Sequence, residues 1–379
     1  MAAPPHLQPW TLDVSSLIVL ISEDEERNYR LSRRSLLQCL VAAPVVGLQN
    51  YVRSYHMLLD TSAETYFSPY GVKTAPLRNI QLSNALKIDN LLEDGRYTVF
   101  QLPANTTVSK RANKSCQALL VVWTAITWIL FAGLILGIIK YHGATWVSLA
   151  TCTAFTGWSI LVRLIEYVNV VPSTSNEDHV NDPDALDAVF IMGRSHSAFV
   201  LEGSRSDVKN WTSNGLIYKD RLLGIPASAW QFFTRMGSLM ILLLFLTAIP
   251  NGSTADQAAF VLLNIVAQAN VLVGQRANSR CVLSKLSKIE NTNDPRNFTR
   301  THIYAKLIRR FLQVEHENQW IEASGMLPRT DVWDKWKVQI VSGVQEDPKK
   351  LFHRISNDLK NARTASILKR DANAPAESK

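Results

Sequence analysis

The sequence predicts a mainly α fold: an integral membrane protein with four transmembrane helices in two hairpins, carrying small α+β cytosolic regions. Three observations predict it. Uncharged runs long enough to cross a bilayer occupy 118–139, 144–162 and 257–275, with a shorter fourth at 236–249. The runs fall into two close pairs separated by turn residues, and basic residues gather at one set of helix ends.

The first run holds 22 residues without a charge. At ~1.5 Å per residue it reaches roughly 33 Å, the depth of a bilayer core. Runs 144–162 and 257–275 add 19 uncharged residues each. The fourth has 14, and extends back through Ala229 if Arg235 snorkels to the headgroups. Any one of these alone would read as a buried core helix, but four in two pairs do not. Lipid leaves backbone groups no outside partner, so uninterrupted runs of this length are helices. Pro226 stands where the third helix can begin and Pro250 where it should stop. The hairpins reverse at Lys140-Tyr141-His142-Gly143 and at Pro250-Asn251-Gly252-Ser253-Thr254.

Orientation follows from the basic residues. Lys110, Arg111 and Lys114 precede the first helix, and Arg276, Arg280, Lys285 and Lys288 follow the last. Arg163, Arg194, Arg205, Lys209, Lys219 and Arg221 lie between the hairpins, whereas the two turns together offer only Lys140. Both termini and the central loop are therefore expected in the cytosol, an N-in/C-in multi-pass arrangement in an endomembrane or the plasma membrane. No secretory signal pattern opens the chain.

This divides the chain into an N-terminal cytosolic region (1–114), a first transmembrane hairpin (115–171), a central cytosolic subdomain (172–227), a second hairpin (228–275) and a basic cytosolic tail (276–379). In the first region, the apolar stretch 36–48 is short for a span and reads as a core or interfacial helix. Residues 79–86 and 96–102 read as short strands or helical turns. In the central subdomain, two apolar β-branched runs flank Arg194-Ser195-His196-Ser197 and predict a β-hairpin; Ser204 then caps a short helix. The tail holds 20 Lys/Arg against 12 Asp/Glu, while the rest of the chain is balanced. Ile303, Leu307, Phe311 and Val314 recur at helical spacing beside Lys306, Arg309 and Arg310. Such a helix either lies on the anionic cytosolic leaflet or packs on the other cytosolic parts. Nucleic acid is not an expected partner, because no aromatic-interleaved basic motif accompanies the charge.

Five features bear on chemistry. Gln257, Asn264, Gln268 and Gln275 fall along one line of the last helix, with Asn270 nearly opposite. They form either a polar groove for a ligand or interhelical bonds, the latter being favoured. Asp182, Asp184 and Asp187 are spaced as carboxylates that can hold Mg²⁺, although no second acidic motif joins them and capping aspartates of a turn are favoured. Ser195 and His196 lack an evident acid partner. Cys116 and Cys281, near membrane ends, are candidate palmitoylation sites, though inert thiols are the better reading. Arg163 and Glu166, three apart, read as an interfacial ion pair. No metal or cofactor motif is present: no HExxH, P-loop or GxGxxG.

Two stretches, GRSHSAFVLEGSRSDVKNWTSNGL in the central subdomain and AIPNGSTADQAAFVLLNIVAQANVLVGQ across the second hairpin, resemble uncharacterised multi-pass membrane proteins of filamentous fungi. Some members of that family are encoded near secondary-metabolite genes. The resemblance covers the span from the first helix to the fourth. It implies a membrane protein accessory to a biosynthetic pathway and carries no catalytic residue with it.

The expectation is thus a non-enzymatic accessory, scaffold or regulatory membrane protein, with the bilayer and a homo-oligomeric or membrane-protein partner around it. The alternatives are a membrane-embedded enzyme on a lipophilic, isoprenoid or polyketide-like substrate, and a small transporter subunit.

Overall fold

The structure is a computed structural model that describes residues 64–102, 106–140, 143–172, 182–193, 196–219, 221–222, 224–313 and 319–372. The expectation for 36–48 lies outside the described residues.

A six-stranded mixed sheet organises the polar half of the molecule. Its strands are β1 (Thr65–Ser68), β2 (Lys73–Pro76), β3 (Arg96–Gln101), β5 (Leu186–Met192), β6 (Ala198–Ser204) and β10 (Ser287–Asn293), in the order β10-β3-β6-β5-β1-β2. Only β3 and β6 run parallel. The hairpin predicted around 194–197 is present: β5 and β6 pair antiparallel from Leu186↔Ser204 to Met192↔Ala198. Residues 96–102 take the strand form of the two readings open to them, and residues 80–88 the helical one, as α1 (Ile80–Ile88).

Alternation explains how the sheet carries a core on each face. Tyr97, Val99, Ala188, Phe190, Ala198 and Val200 point to one side, and Phe100, Val189, Ile191, Phe199 and Leu201 to the other. Strands buried on both faces read as continuous apolar runs, which is why β6 begins Ala-Phe-Val-Leu. The first face is covered by the C-terminal helices α7 (Arg300–Arg310), α8 (Gln319–Ala323), α9 (Asp331–Val341) and α10 (Pro348–Ala372). The second is covered by α1, by α4 (Arg205–Ser213) and by the loop residue Leu286. Ser204 caps α4 as expected, its hydroxyl accepting the Asp207 N–H at 3.2 Å.

The N-terminal, central and C-terminal regions, read from sequence as separate pieces, therefore form one three-layer domain. Its strands come from all three, and both helical hairpins are insertions between them. The first hairpin is α2 (Thr106–Lys140) and α3 (Trp146–Asn169), inserted between β3 and β5. The second is α5 (Ala227–Ala248) and α6 (Thr254–Leu283), inserted between β6 and β10. Short ladders, β4 (Val170–Pro172) with β7 (Leu216–Tyr218) and β8 (Arg221–Leu222) with β9 (Ile225–Pro226), connect the two parts.

All four hairpin helices are long and apolar enough to cross a membrane. α2 and α5 remain largely uncovered, and α3 and α6 are about half covered: Ile129, Ile139, Phe232, Met240 and Ile265 are each more than half exposed. Apolar surface on this scale, in four parallel and antiparallel helices, marks a lipid-facing bundle. Inside it, Phe155, Phe245 and Phe260 from α3, α5 and α6 meet edge-to-face or tilted, with Ala259, Leu263 and Ala267 beside them.

The tail helix α7 takes the second of its two placements. Ile303, Leu307 and Phe311 are buried against the sheet, so its apolar stripe is committed to protein. Its basic residues are engaged as well. Arg310 binds Glu202 of β6, with one bond at 2.8 Å, and Lys306 pairs with Glu290 of β10. Arg309 donates to the Val344 carbonyl at 2.7 Å.

Candidate functional site

The helical layer and the sheet domain are joined by α6. Its first two-thirds pack in the bundle through Phe260, Leu263 and Ala267; its last turn enters the core under the sheet through Leu283, next to Leu286. This extends the helix eight residues beyond Gln275, where the uncharged run ends. The Ser279 hydroxyl there donates to Asp89, the residue that ends α1. A continuous helix through both cores fixes their relative position.

The opposite end of α6 is locked too. Ser253 and Asp256 form a capping box, and Asp256, 2 % exposed, also accepts the Thr145 N–H at 2.8 Å and its hydroxyl at 2.6 Å. Ser253 donates to the Gly143 carbonyl at 2.8 Å. The turns of the two hairpins thus sit side by side, and one carboxylate ties them.

Gln257 and Gln275 are buried, while Asn264 and Gln268 are half-buried. The Nδ2 group of Asn264 donates to Phe260 O of its own helix, at 2.9 Å. Asn270, off the line, bonds between helices: it is 2 % exposed and accepts from the Trp123 indole of α2 at 2.8 Å. Between the second and third helices of the bundle, Trp158 of α3 donates to Ser238 of α5 at 3.0 Å, its ring lying over Gly237. No sequence pattern ranked Asn270 first; a tryptophan one helix away is the missing signal. Gln257 Oε1 has no hydrogen-bond partner among the described residues.

The aspartates do not converge. Asp182 and Asp184 are exposed in the turn before β5, Asp182 at φ 51°. Asp187 is on the strand, where it accepts from Ser68 Oγ at 3.1 Å and the Ala188 N–H at 2.8 Å. Burial pushes its carboxyl above the usual range, against the pull of those bonds and of Arg205 and Lys73. Among the described residues, no group of three His, Cys, Asp or Glu could hold a metal.

His196 does have an acid neighbour, Asp94, at 3.8 Å, and its carbonyl accepts the Gly95 N–H at 2.7 Å. These contacts pin the β5–β6 end to the α1–β3 loop; Ser195 is outside the described residues. Glu166 is helical, but its side chain is outside them too, so the expected pair with the buried Arg163 is not described. Cys281 is buried with Leu120 and Ala277 between α2 and α6, a setting that suits the favoured reading of an inert thiol. The Cys116 side chain is outside the described residues.

One cleft gathers polar groups that sequence reading did not link. It opens where α1, α4 and the end of α6 meet, with a volume of about 210 Å³. Asn79 and Gln81 come from the start of α1, Asn210, Trp211 and Asn214 from the end of α4, and Val282 and Lys285 from the end of α6. Asn79 caps α1, accepting the Gln81 N–H at 3.0 Å and the Leu82 N–H at 3.3 Å. Among the described residues Lys285 makes no ion pair.

Searches of family models, curated proteins and solved structures give no match to this chain.

Proposed function

We propose that this chain is an N-in/C-in integral membrane protein that serves as a non-enzymatic accessory or scaffold, its sheet domain held in the cytosol as a rigid platform on the bilayer. The observation that carries the reading is α6, whose residues belong both to the bundle core and to the core beneath the sheet. A linker-tethered domain would need no such sharing; a domain that must be held at a set height and orientation does. The basic residues flanking the helices set the cytosolic side. The resemblance to fungal membrane proteins makes a biosynthetic pathway the setting.

Two measurements test this. Cysteines placed singly at Thr254 and at Val338 should label from opposite sides of sealed vesicles. Cells lacking the protein should show altered metabolite levels, while the purified protein turns over none of the metabolites that accumulate. Turnover by the purified protein would overturn the accessory reading.

A further inference from the structure

The amide-rich cleft stands at a height that selects among ligands. A 30-residue helix such as α6 is about 45 Å long. The hydrocarbon core takes ~30 Å of that and core plus headgroups ~40–45 Å. With the hairpin turn at the far surface, Val282 and Lys285 lie at the outer edge of the near headgroup layer. A small headgroup ends at about the phosphate plane, below the cleft. A headgroup bearing a ring on its phosphate reaches it.

The lining fits that ring. Gln81, Asn210 and Asn214 each carry a carbonyl acceptor and two N–H donors, and Asn79, whose carbonyl caps α1, adds its N–H donors, a set that complements hydroxyls that both donate and accept. Trp211 adds a flat apolar wall for the C–H face of a saturated ring. Lys285 supplies the cation, and Arg276 and Arg280, exposed on α6 just below, add positive charge at phosphate level.

We propose that this cleft binds a phosphorylated polyol, the ring-and-phosphate headgroup of an inositol- or sugar-bearing phospholipid, or the same group free in solution. The lipid source rests on the reading that α6 crosses the bilayer; the cleft chemistry does not.

The test uses the full chain in phosphatidylcholine nanodiscs. Phosphatidylinositol and phosphatidylserine, equal in charge, are added at matched mole fraction, and retained lipid is counted by native mass spectrometry. Phosphatidylinositol should be retained roughly tenfold better, a preference lost in Lys285→Gln and in Asn210→Ala and kept in Lys285→Arg. Neither position is in a core, so unchanged thermal unfolding separates lost binding from lost fold. In a second arm, soluble inositol 1-phosphate and inorganic phosphate are titrated by calorimetry. Binding of inositol 1-phosphate over phosphate supports the cleft chemistry even if the bilayer placement is wrong, and binding of the lipid alone assigns the source to the membrane. Equal retention of the two lipids together with no binding of inositol 1-phosphate, indifference to Lys285→Gln in both arms, or phosphate bound as tightly as inositol 1-phosphate would each overturn the proposal.

Discussion

Replacing Asn270 by Leu tests whether its bond with Trp123 holds α2 to α6. Asn270 is buried and takes the Trp123 indole N–H at 2.8 Å, from a helix 147 residues away in sequence. Interhelical polar bonds within membranes contribute roughly 0.6–1.7 kcal/mol, and a stranded buried donor or acceptor costs ~1–3 kcal/mol. Asn270→Leu, close in volume, should therefore cost about 1–2 kcal/mol. Asn264→Leu should cost less than about 0.5 kcal/mol, because the bond it removes goes to the Phe260 carbonyl of the same helix, which keeps its backbone partner. A double-mutant cycle with Trp123→Phe isolates the pair and should return ~0.6–1.7 kcal/mol of coupling. The assay is reversible unfolding of the reconstituted protein in mixed micelles with increasing SDS, followed by far-ultraviolet circular dichroism. Zero coupling, or an Asn264→Leu cost equal to that of Asn270→Leu, would refute the assignment.

Gly237→Ala should separate α3 from α5, since a Cβ there would meet Trp158 at 1.9 Å; a cost of ~1–3 kcal/mol is expected, visible in the same titration and relieved by Trp158→Phe. Asp187→Asn should raise the melting temperature at pH 7. The folded carboxyl titrates above its ordinary value of ~4, so its contribution is full below that value and is lost as pH rises through the folded one. At pH 7 the buried charge is a cost that Asn removes while still accepting from Ser68; a lower melting temperature would count against this. Asp347→Ala should cost about 0.5–2 kcal/mol, since Asp347 caps α10 through the Lys349 and Lys350 N–H groups at 3.0 and 2.9 Å and accepts from His302. The Lys350 N–H and His302 hold its carboxyl below the usual range, so its stabilisation is present above pH ~4 and lost as pH falls through the folded value. Acid titration of the variant should lack that step.

What could be read along the chain was whatever lipid or local geometry imposes on consecutive residues. Lipid accepts no unpaired backbone and few charges, so 118–139 and 257–275 had to be uncharged and helical. The β5–β6 hairpin and the Ser204 cap are local too, the first set within residues 186–204 and the second within 204–207. Edge strands were not legible: β10, Ser-Lys-Ile-Glu-Asn-Thr-Asn, is mostly exposed and has no apolar alternation to mark it.

Periodicity shows which face of an element is apolar, never which element covers it. The stripe Ile303-Leu307-Phe311 fitted a bilayer surface or a protein core equally, and the sheet decided between them. The α6 amides fitted a ligand or a helix, and the bond from the Trp123 indole goes to Asn270, which lies off their line. The cleft depends most on tertiary structure, because its amides, indole and lysine lie on three helices up to some 200 residues apart. Residues along the chain set the membrane, the helices and the charge asymmetry by themselves. The merging of three regions into one sheet, and the strut and cleft that result, came only with packing, because each buries surface that its partner alone can cover.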